Sequence, residues 1–438
     1  MKNRFFELKY RAARPRARNT LAHLVDIDSI SARELWAIQQ ERRGLMVAYA
    51  YEFCPYYREK YNKAGFRQKD ISEDSNFFEL PTLTRDEVKS NFSGIMSSEY
   101  SSRHIELSST GGSTGVPIVV GVDPDHAVEV VSWRRLRAWG VSPADNSGYI
   151  YRVVPKGKSE LLRRLLYYPT RRTYLSATEM SEKNMSRFVR HMIDTRARYI
   201  VAYVGALKIL ADYLKSNNIS LPNLKFIWST AAPLPVYLRY ELEDVFGVPV
   251  YSQYGCSEFY WIAAERVDRT GLDIDWDIRT VEILDDRKRV APIGEFGDIA
   301  ITDLLNRAFP LIRYEVGDRS RLLASSLPLG DQLPILDFVK GRTSDTIVLK
   351  NGRRVPGEFW TTIFDSYVEA INGFHVHQRS DHTLEVGFIP NEHWTRRHEE
   401  EILKTLEEVC EGTPIVLSTE GSLVNDRGKL KFVTSDLS

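Results

Sequence analysis

The sequence predicts an α/β protein with a large N-terminal α/β domain, whose β-sheets are flanked by helices, and a small C-terminal α+β domain. Helical stretches alternate with short β-branched and aromatic runs such as Tyr199–Tyr203. Beyond about Val281 the chain becomes β-rich, and from about Gly341 short strands and helices are mixed. We therefore expect an N-terminal domain over 1–340 and a C-terminal domain over 341–438.

The first hundred or so residues are predicted to be mostly helical. Ser31 is a suitable N-cap for a helix over 32–51. Thr84 precedes Glu87 by three residues, which is the spacing of a capping box. The β-branched run Ile118–Val122 follows a cluster of glycine, serine and threonine, a pattern typical of a loop that leads into a strand.

The C-terminal domain is predicted from four segments. Its strands are expected at 346–349 and 383–388, and its helices near 357–369 and 395–409. No internal repeat and no low-complexity linker is visible in the sequence.

Composition indicates a globular, enzyme-sized protein. The 438 residues contain 43% hydrophobic and 27% charged residues, too apolar for a disordered chain. Lysine plus arginine equals aspartate plus glutamate, 59 each, so we expect no nucleic-acid partner. Nucleic-acid binding is an alternative that rests only on a basic N-terminal arm, and salt-sensitive retention of DNA or RNA would support it.

Cysteine and histidine usage gives no sign of a disulfide framework or a zinc site. Cys54, Cys256 and Cys410 are far apart and form no CxxC pair, and the nine histidines form no HExxH pair. A magnesium site built on carboxylate oxygen stays open, because hard cations prefer such ligands.

The N-terminus shows no signal peptide, and no apolar stretch is long enough to cross a bilayer, so we expect a cytoplasmic protein. Between Lys2 and Arg18, seven lysines and arginines face one acid, Glu7. This basic arm allows peripheral contact with a membrane surface or an acidic partner. A solvated terminal arm is the simpler interpretation.

The strongest local motif is the run Ser108–Pro117, with the sequence SSTGGSTGVP. Glycines permit close approach of the backbone, and the hydroxyls and N–H groups can donate to a polyphosphate. The run lacks the lysine of a P-loop, and alone such a run is more often an ordinary Gly/Ser turn than a nucleotide site.

Three further motifs carry charged side chains after glycines or strand ends. Tyr251–Glu258 (YSQYGCSE) could hold Mg²⁺ through Glu258, and Arg313–Asp318 (RYEVGD) puts an aspartate after a glycine turn, suited to ribose hydroxyls. Lys429 follows a glycine close to the chain end. In isolation each is more simply a loop acid, a turn or a solvated lysine.

Together and in this order, the motifs resemble the adenylate-forming superfamily of acyl-CoA synthetases, luciferases and adenylation domains. The segments Pro55–Tyr61 (PYYREKY) and Leu80–Arg85 (LPTLTR) are similar to the phenylacetate–CoA ligase branch, particularly its CapK-like members, which are often associated with surface-polysaccharide biosynthesis. The resemblance runs through essentially the whole chain. It implies the adenylate-forming enzyme fold, with a C-terminal domain that rotates between half-reactions.

The resemblance also implies ATP and Mg²⁺ as cofactors, and coenzyme A as the usual second substrate. The phosphate loop would be formed by Ser109, Gly112, Ser113, Thr114 and Gly115. The nucleotide would further be contacted by Ala231, Ala232, Pro233, Tyr254, Gly255, Asp318 and Arg342. The catalytic residues would be Lys429, Ser257 and Glu258, of which Glu258 also positions the metal.

The expected reaction is formation of an acyl-AMP from a carboxylic acid, followed by acyl transfer. The carboxylate is already a nucleophile, so the protein has to align it with the α-phosphorus and neutralise charge. The acid is not identified. Tyr203, Gly205 and Tyr260, with Val204 and Trp261, are candidates for its pocket, although such aromatic residues are also common in packing.

Three positions depart from the usual motifs of this superfamily. Val116 stands where lysine or arginine is frequent, and Ser344 stands at a position where a hinge aspartate or lysine is common. Glu315 and Val316 replace a small or hydroxyl pair. We expect the absence of one phosphate contact, an altered domain rotation that puts the thioester step in question, and a reshaped turn, respectively.

The sequence does not identify the acyl acceptor. The alternatives are coenzyme A, a carrier protein, and an amine or hydroxyl of a sugar. The basic stretch 161–172 (LLRRLLYYPTRR) could meet a phosphopantetheine, a nucleotide-sugar or a lipid-linked intermediate, or could be an amphipathic helix with a solvated edge. A non-catalytic nucleotide-binding scaffold is the alternative from another class, and ATP turnover separates it from a ligase.

Overall fold

The computed structural model describes residues 2–26, 29–71, 74–100, 105–109, 118–151, 154–155, 157–323, 333–339, 341–342, 347–355, 360, 363–364, 367, 370–418 and 433–437. Within these residues, no helix is long and apolar enough to cross a membrane.

Helices and strands alternate along the described chain, with a helical start and a strand-rich end. The α-helices are α1 Lys2–Ala13, α2 Pro15–His23, α3 Ala32–Phe53, α4 Pro55–Lys63, α5 Gln68–Ile71, α6 Arg85–Ser90, α7 Phe92–Ile95, α8 Ser132–Ala138, α9 Lys158–Tyr167, α10 Glu182–Asp194, α11 Val204–Ser216, α12 Val236–Phe246 and α13 Arg396–Cys410. Two 3₁₀ turns are Asp74–Glu79 and Val128–Val131.

The strands are short, as expected for an α/β protein of this composition. They are β1 Glu106–Ser109, β2 Val119–Val122, β3 Ser147–Tyr151, β4 Arg172–Ser176, β5 Tyr199–Tyr203, β6 Phe226–Thr230, β7 Val250–Tyr254, β8 Ala263–Glu265, β9 Leu272–Ile274, β10 Arg279–Leu284, β11 Gly297–Asp303, β12 Tyr314–Ser320, β13 Leu322–Leu323, β14 Ile335–Leu336, β15 Gly341–Arg342, β16 Ile347–Val348, β17 Arg354–Val355, β18 Ile371–Gln378, β19 Leu384–Pro390, β20 Ile415–Ser418 and β21 Val433–Ser435.

Both predicted helix starts are confirmed. The Ser31 side chain accepts a hydrogen bond from the Glu34 backbone N–H, and the Glu34 carboxylate accepts from the Ser31 N–H in return. Thr84 and Glu87 form the same reciprocal pair at the start of α6. Such caps satisfy N–H groups that have no partner within the helix, so they fix where the helix begins.

The described chain divides into two compact units. The first comprises 1–7, 137–252 and 339–438, and the second comprises 8–136 and 253–338. Residues 339–438 therefore pack with 137–252, and a boundary falls at 338/339, beside the expected position. The division into domains 1–340 and 341–438 stays a prediction.

The first unit contains a parallel sheet in the order β4-β3-β5-β6-β7. The strand Tyr199–Tyr203 is buried along most of its length, which is typical of a parallel strand with both faces covered. One face packs on α10 and α11, where Phe188 and Leu207 are fully or almost fully buried. This sheet brings Tyr203 and Thr230 to the carboxyl ends of β5 and β6, respectively.

The C-terminal part of the first unit is a four-stranded sheet in the order β20-β19-β18-β21, accompanied by α13. β18 and β19 form an antiparallel hairpin, and the outer strands pair with them in parallel. Apolar side chains of α13 and the sheet, including Ile402, Leu406, Phe374 and Phe388, join the core of this unit.

The second unit is mostly antiparallel. β10, β11 and β12 form one sheet, while the last residues of β7 pair with β8, which continues to β9, β14 and β13. β1 and β2 form a hairpin. The mixed α/β architecture confirms the predicted fold class.

Candidate active site

A short loop after β7 carries the most polar of the predicted motifs. The chain turns at 255–260, and the Tyr260 N–H donates to the Cys256 carbonyl at 2.6 Å. The Gln253 side-chain amide closes the turn from inside by donating to the Tyr254 and Tyr260 carbonyls at 2.9 and 3.1 Å. The loop therefore has a defined shape. We call residues 254–260 the acid loop.

Gly255 is required by the close approach of the two sides of the acid loop. A Cβ atom at this position would lie 2.1 Å from the Tyr260 carbonyl oxygen and 2.4 Å from the Gln253 Nε2 atom. Neither distance is possible for a real side chain, so any other residue would open the loop.

Glu258 lies within the second unit with only 7% of its surface exposed. Its Oε1 atom accepts a hydrogen bond from the Tyr314 hydroxyl at 3.1 Å and one from Arg85 Nη1 at 3.3 Å. Burial, reinforced by the nearby Glu258 carboxylate, raises the pKa of Tyr314 above its ordinary value, so this hydroxyl stays protonated. The carboxylate is thus held by two donors.

Arg85 reaches Glu258 because the segment Leu80–Arg85 is docked on β12. The Leu83 N–H donates to the Arg313 carbonyl at 3.0 Å, and the Glu315 N–H donates to the Leu83 carbonyl at 2.9 Å. Arg313 also donates from its guanidinium to the Leu80 carbonyl. Two strand-like bonds and one side-chain bond therefore fix the segment that begins α6.

Glu315, which departs from the usual motif, has a structural role in this docking. Its carboxylate accepts from the Thr82 hydroxyl at 2.6 Å and pairs with Lys288 at 2.7 Å. The sequence predicted only that this residue reshapes a turn. Instead it attaches the Leu80–Arg85 segment to the sheet.

Asp318 lies inside β12, not after a tight turn as the sequence predicted. Gly317 has φ 82°, and the pairing of β11 with β12 shifts register between Asp298 and Ala300. This irregularity is a bulge, which re-aims a side chain in a strand. The Asp318 carboxylate accepts a hydrogen bond from the Tyr254 hydroxyl at 2.9 Å and is 7% exposed.

The acid loop also contacts the β1–β2 hairpin. The Ser257 backbone carbonyl accepts a hydrogen bond from the Ser108 hydroxyl at 2.9 Å, and Ser257 itself is exposed. The hairpin register ends at the pair Ser109 and Val119. The predicted phosphate-loop residues that follow, Gly112, Ser113, Thr114 and Gly115, lie outside the described residues, as does the side chain of Ser109.

Several of the other candidates belong to the first unit. Tyr203 ends β5 and is half-buried, and Gly205 is buried in the first turn of α11. Ala231 follows β6 with φ 71°, a left-handed conformation that is uncommon for alanine. Ala231 and Pro233 are exposed and Ala232 is half-buried, so this turn presents its backbone.

Three residues singled out in the sequence cannot be placed with their side chains. The backbone of Arg342 forms part of β15, but its side chain lies outside the described structure, and so do Lys429 and Ser344. Their roles stay predictions. Of the predicted pocket residues in the second unit, Tyr260 is exposed with φ 60°, whereas Trp261 is fully buried and donates to Asp275 at 2.6 Å.

A magnesium ion is compatible with the acid loop but would not be enclosed by protein ligands. No group of three or more histidine, cysteine, aspartate or glutamate residues in the described part of the chain could hold a metal. Mg²⁺ commonly keeps several waters and binds through one or two carboxylates plus substrate phosphates. Glu258, beside the exposed Ser257, fits that mode.

Sequence reasoning missed two residues that hold the acid loop. Arg85 belonged to a segment quoted only as typical of the branch, and Tyr314 belonged to the aspartate motif without a role. Both contacts join segments that are far apart in sequence, so spacing gave no signal.

Comparisons with known proteins test the predicted family resemblance. No protein-family profile matches the chain. It is 25% identical over 351 residues to the phenylacetate–coenzyme A ligase of Escherichia coli, covering 77% of this chain and 78% of that protein. It is 23% identical to the CapK protein of Staphylococcus aureus, covering 69% and 65%. The crystal structure of 2-hydroxyisobutyryl-CoA ligase in the postadenylation state matches with a TM-score of 0.72 and 17% identity over 91% of this chain and 89% of that one.

The predicted resemblance is therefore confirmed. The chain is an adenylate-forming ligase of the phenylacetate–CoA ligase-like branch. For a ligase of this kind, the described residues supply an acid loop with a fixed glutamate and an aspartate held by a tyrosine.

Proposed function

We propose that this ligase uses ATP to convert a carboxylic acid to an acyl-AMP with release of pyrophosphate, and then transfers the acyl group to coenzyme A. The observation that carries the proposal is the convergence on one loop of Glu258, held by Tyr314 and Arg85, with Asp318, held by Tyr254. Sequence similarity to phenylacetate–CoA ligases supports the same reaction.

Each of these residues has a definite task in the proposed reaction. Asp318 would accept hydrogen bonds from the ribose hydroxyls, and its bond from the Tyr254 hydroxyl keeps the carboxylate in place while ATP binds. Glu258 would hold Mg²⁺, which neutralises phosphate charge when bound. Arg85 and Tyr314 keep the glutamate side chain in one rotamer, so its position is set before the nucleotide arrives.

The first half-reaction needs no general base. The substrate carboxylate oxygen attacks the α-phosphorus, and the bond to the pyrophosphate oxygen breaks. We propose that Lys429 contacts both the attacking carboxylate and the α-phosphate, and that Ser257 contacts a carboxylate or phosphate oxygen. In the second half-reaction the acceptor sulfur attacks the acyl carbon, AMP leaves, and the thiol proton is released to solvent.

Solved structures with this fold contain ligands of the proposed kind. One 2-hydroxyisobutyryl-CoA ligase structure, with a TM-score of 0.60, contains 2-HIB-AMP and CoA in the thioesterification state. The match covers 93% of this chain and 91% of that one at 18% identity, so it shows the fold alone. Mg²⁺, by contrast, is proposed from the chemistry of Glu258.

A second acceptor class rests on the similarity to CapK. In that case an amine or hydroxyl of a sugar, or the thiol of a carrier protein, would take the acyl group in surface-polysaccharide biosynthesis. We also propose a cytoplasmic location. Membrane contact through the basic N-terminal arm stays a prediction, and within the second unit Arg16 of this arm pairs with Glu106 at 2.5 Å.

The test is carboxylate-dependent ATP–pyrophosphate exchange with Mg²⁺ over a panel of aryl, short-chain, amino and sugar acids. We expect exchange with one class of acid and a loss on the order of 10²–10³-fold in Lys429→Ala, because one preorganised charge is removed. The exposed Lys183→Ala should exchange like the wild type. Absence of both exchange and ATP binding would contradict the proposal and favour the nucleotide-binding scaffold.

A further inference from the structure

Within the basic stretch 161–172, the structure separates one arginine from the rest. Arg163, Arg164 and Arg171 are exposed, on or just after α9. Arg172 instead begins β4 and is half-buried among tyrosine rings. The exposed arginines thus fit the predicted amphipathic helix with a solvated edge, whereas Arg172 does not.

Among the described residues, Arg172 lies against aromatic faces. Its guanidinium carbon is 3.4 Å from the centre of the Tyr167 ring and 5.1 Å from that of Tyr149. Its Nε atom is buried and has no hydrogen-bond partner among the described residues. Cation–π contacts hold the charge in place, and the buried Nε–H has no acceptor among the described residues.

Tyr174 presents a second unused polar group on the same face of the sheet, two residues further along β4. Its hydroxyl is buried and has no hydrogen-bond partner in the described structure. Burial raises the pKa of Tyr174, and the nearby Arg163 and Arg172 guanidinium groups oppose that shift. The hydroxyl therefore stays protonated and can donate, close to positive charge.

From Tyr174 a continuous row of rings crosses the sheet. Tyr174 stacks on Tyr149 at 5.5 Å, Tyr149 contacts Tyr151 at 5.8 Å, and Tyr151 contacts Tyr203 at 5.5 Å. We call these four residues the tyrosine row. Tyr174 and Tyr149 lie in the middle of their strands, and Tyr151 and Tyr203 end theirs, so the row leads from the middle of the parallel sheet to its carboxyl edge.

Two buried donors that have no partner in the described structure, the Nε–H of the cationic Arg172 and the Tyr174 hydroxyl, require an explanation, because buried polar groups in proteins normally have partners. A tetrahedral oxyanion would satisfy both, since a guanidinium and a hydroxyl can donate to different oxygens of one phosphate. The carboxylate of the acid substrate fits poorly here. Arg172 lies at the amino end of its strand, away from the carboxyl ends that carry Tyr203 and the Ala231 turn.

We propose that Arg172 and Tyr174 bind a phosphate group of the acyl acceptor, whose chain then lies along the tyrosine row toward Tyr203. This inference rests on the proposed function, because it assigns the phosphate-bearing substrate of the second half-reaction. Coenzyme A, a phosphopantetheine arm and a nucleotide-sugar share the required phosphate chemistry. The aromatic rings exclude water around the phosphate, which strengthens a charge-assisted hydrogen bond.

The test is calorimetric titration of the full-length protein, without ATP or acid, using coenzyme A, phosphopantetheine and UDP-glucose as separate probes. We expect one probe to bind. Arg172→Gln should weaken its Kd by roughly 10–100-fold, because a charged donor is lost, and Tyr174→Phe by about threefold. The matched control is Arg164→Gln, which removes an exposed arginine paired with Glu160 and should change Kd less than about twofold.

The identity of the bound probe names the source of the phosphate. Binding of none of the three probes, or binding that neither Arg172→Gln nor Tyr174→Phe weakens, would overturn the inference. If circular dichroism shows that Arg172→Gln does not fold, the isosteric Tyr174→Phe decides. Exchange measured on the same wild-type preparation keeps the two hypotheses apart, since absent exchange contradicts adenylation while unchanged acceptor binding contradicts only the phosphate site.

Discussion

The acid loop and the tyrosine row satisfy their polar groups in different ways. In and around the acid loop, the buried carboxylates of Glu258 and Asp318 each accept a hydrogen bond from a phenolic hydroxyl, at 3.1 and 2.9 Å. The hydroxyl of Tyr174, which belongs to the tyrosine row, and the Nε atom of Arg172 beside it are buried and have no such partner in the described structure. A group with a partner is fixed in advance, whereas a group without one gains most from a ligand. The acid loop is therefore preorganised, whereas the polar groups at the tyrosine row are available to a ligand.

The largest loss of exchange activity is expected when the negative charge of Glu258 in the acid loop is removed. Glu258→Gln keeps the shape and the hydrogen bond from Tyr314 but removes the negative charge proposed to hold Mg²⁺. We expect ATP–pyrophosphate exchange to fall on the order of 10²–10³-fold. The exposed Glu295→Gln in the same unit should exchange normally. A Glu258→Gln enzyme within tenfold of the wild type would remove this glutamate from the reaction.

Arg85 tests whether positioning matters in addition to charge. Arg85→Ala should lower exchange by roughly 10–100-fold, because a charge-assisted contact to Glu258 is lost. A positioning role predicts that raised Mg²⁺ restores part of the rate, which a general loss of stability would not do. Arg58→Ala is a control on an exposed arginine of α4. An unchanged Mg²⁺ dependence would contradict the positioning role.

Gly255 tests the shape of the acid loop directly. Gly255→Ala should lower the free energy of unfolding by about 1–3 kcal/mol, because its Cβ would overlap the Tyr260 carbonyl. Gly247→Ala is the matched comparison: that glycine caps α12 with φ 65° and has open space around it. Its cost should be about 1 kcal/mol from backbone strain alone. Equal losses in urea unfolding would show that the close approach is unimportant.

A smaller effect is expected for the tyrosine that holds Asp318. Tyr254→Phe removes only the hydroxyl, so Asp318 keeps its charge and loses one fixed hydrogen bond. We expect the KM for ATP to rise about fivefold with little change in kcat. Tyr240→Phe, an exposed tyrosine on α12, serves as the control. A fall in kcat alone would indicate that Asp318 does not contribute to binding the nucleotide.

The last prediction concerns the three cysteine thiols, which we expect to react only slowly in the native protein. Burial raises the pKa of Cys256 well above its ordinary value, and raises the pKa of Cys54 and of Cys410 to about 12. A thiol below its pKa is protonated, and only the thiolate reacts. Iodoacetamide at pH 8 should therefore label the native protein slowly and the urea-unfolded protein quickly, as mass spectrometry can measure. Rapid native labelling of Cys256 would show that the acid loop opens readily.

Much of the fold could be predicted from the sequence because its signals are local. The capping boxes at Ser31 and Thr84 are reciprocal contacts within one turn, and strand positions follow from short β-branched runs. The bulge that aims Asp318 could not be predicted in the same way. It depends on the register of β11 against β12, which is set by pairing across the sheet.

The residue types of the candidate site could be predicted from the sequence, but the contacts between these residues could not. Glu258, Asp318 and Tyr254 were identified by motif, yet the motifs gave no hint that Tyr254 donates to Asp318 or that Tyr314 donates to Glu258. Such contacts join strands that only the folded sheet brings together. Arg172 shows the same limit, because its spacing resembled that of a solvated helix edge, and only packing separated it from its neighbours.

The most direct test of the account is a single turnover without acyl acceptor. The protein is mixed with ATP, Mg²⁺ and the acid that supports exchange, and acyl-AMP and pyrophosphate are quantified in wild type and Glu258→Gln. We expect the wild type to form equal amounts of both products and to retain the acyl-AMP, while the variant forms neither on the same timescale. Release of ADP and phosphate, or equal acyl-AMP formation by the variant, would contradict it.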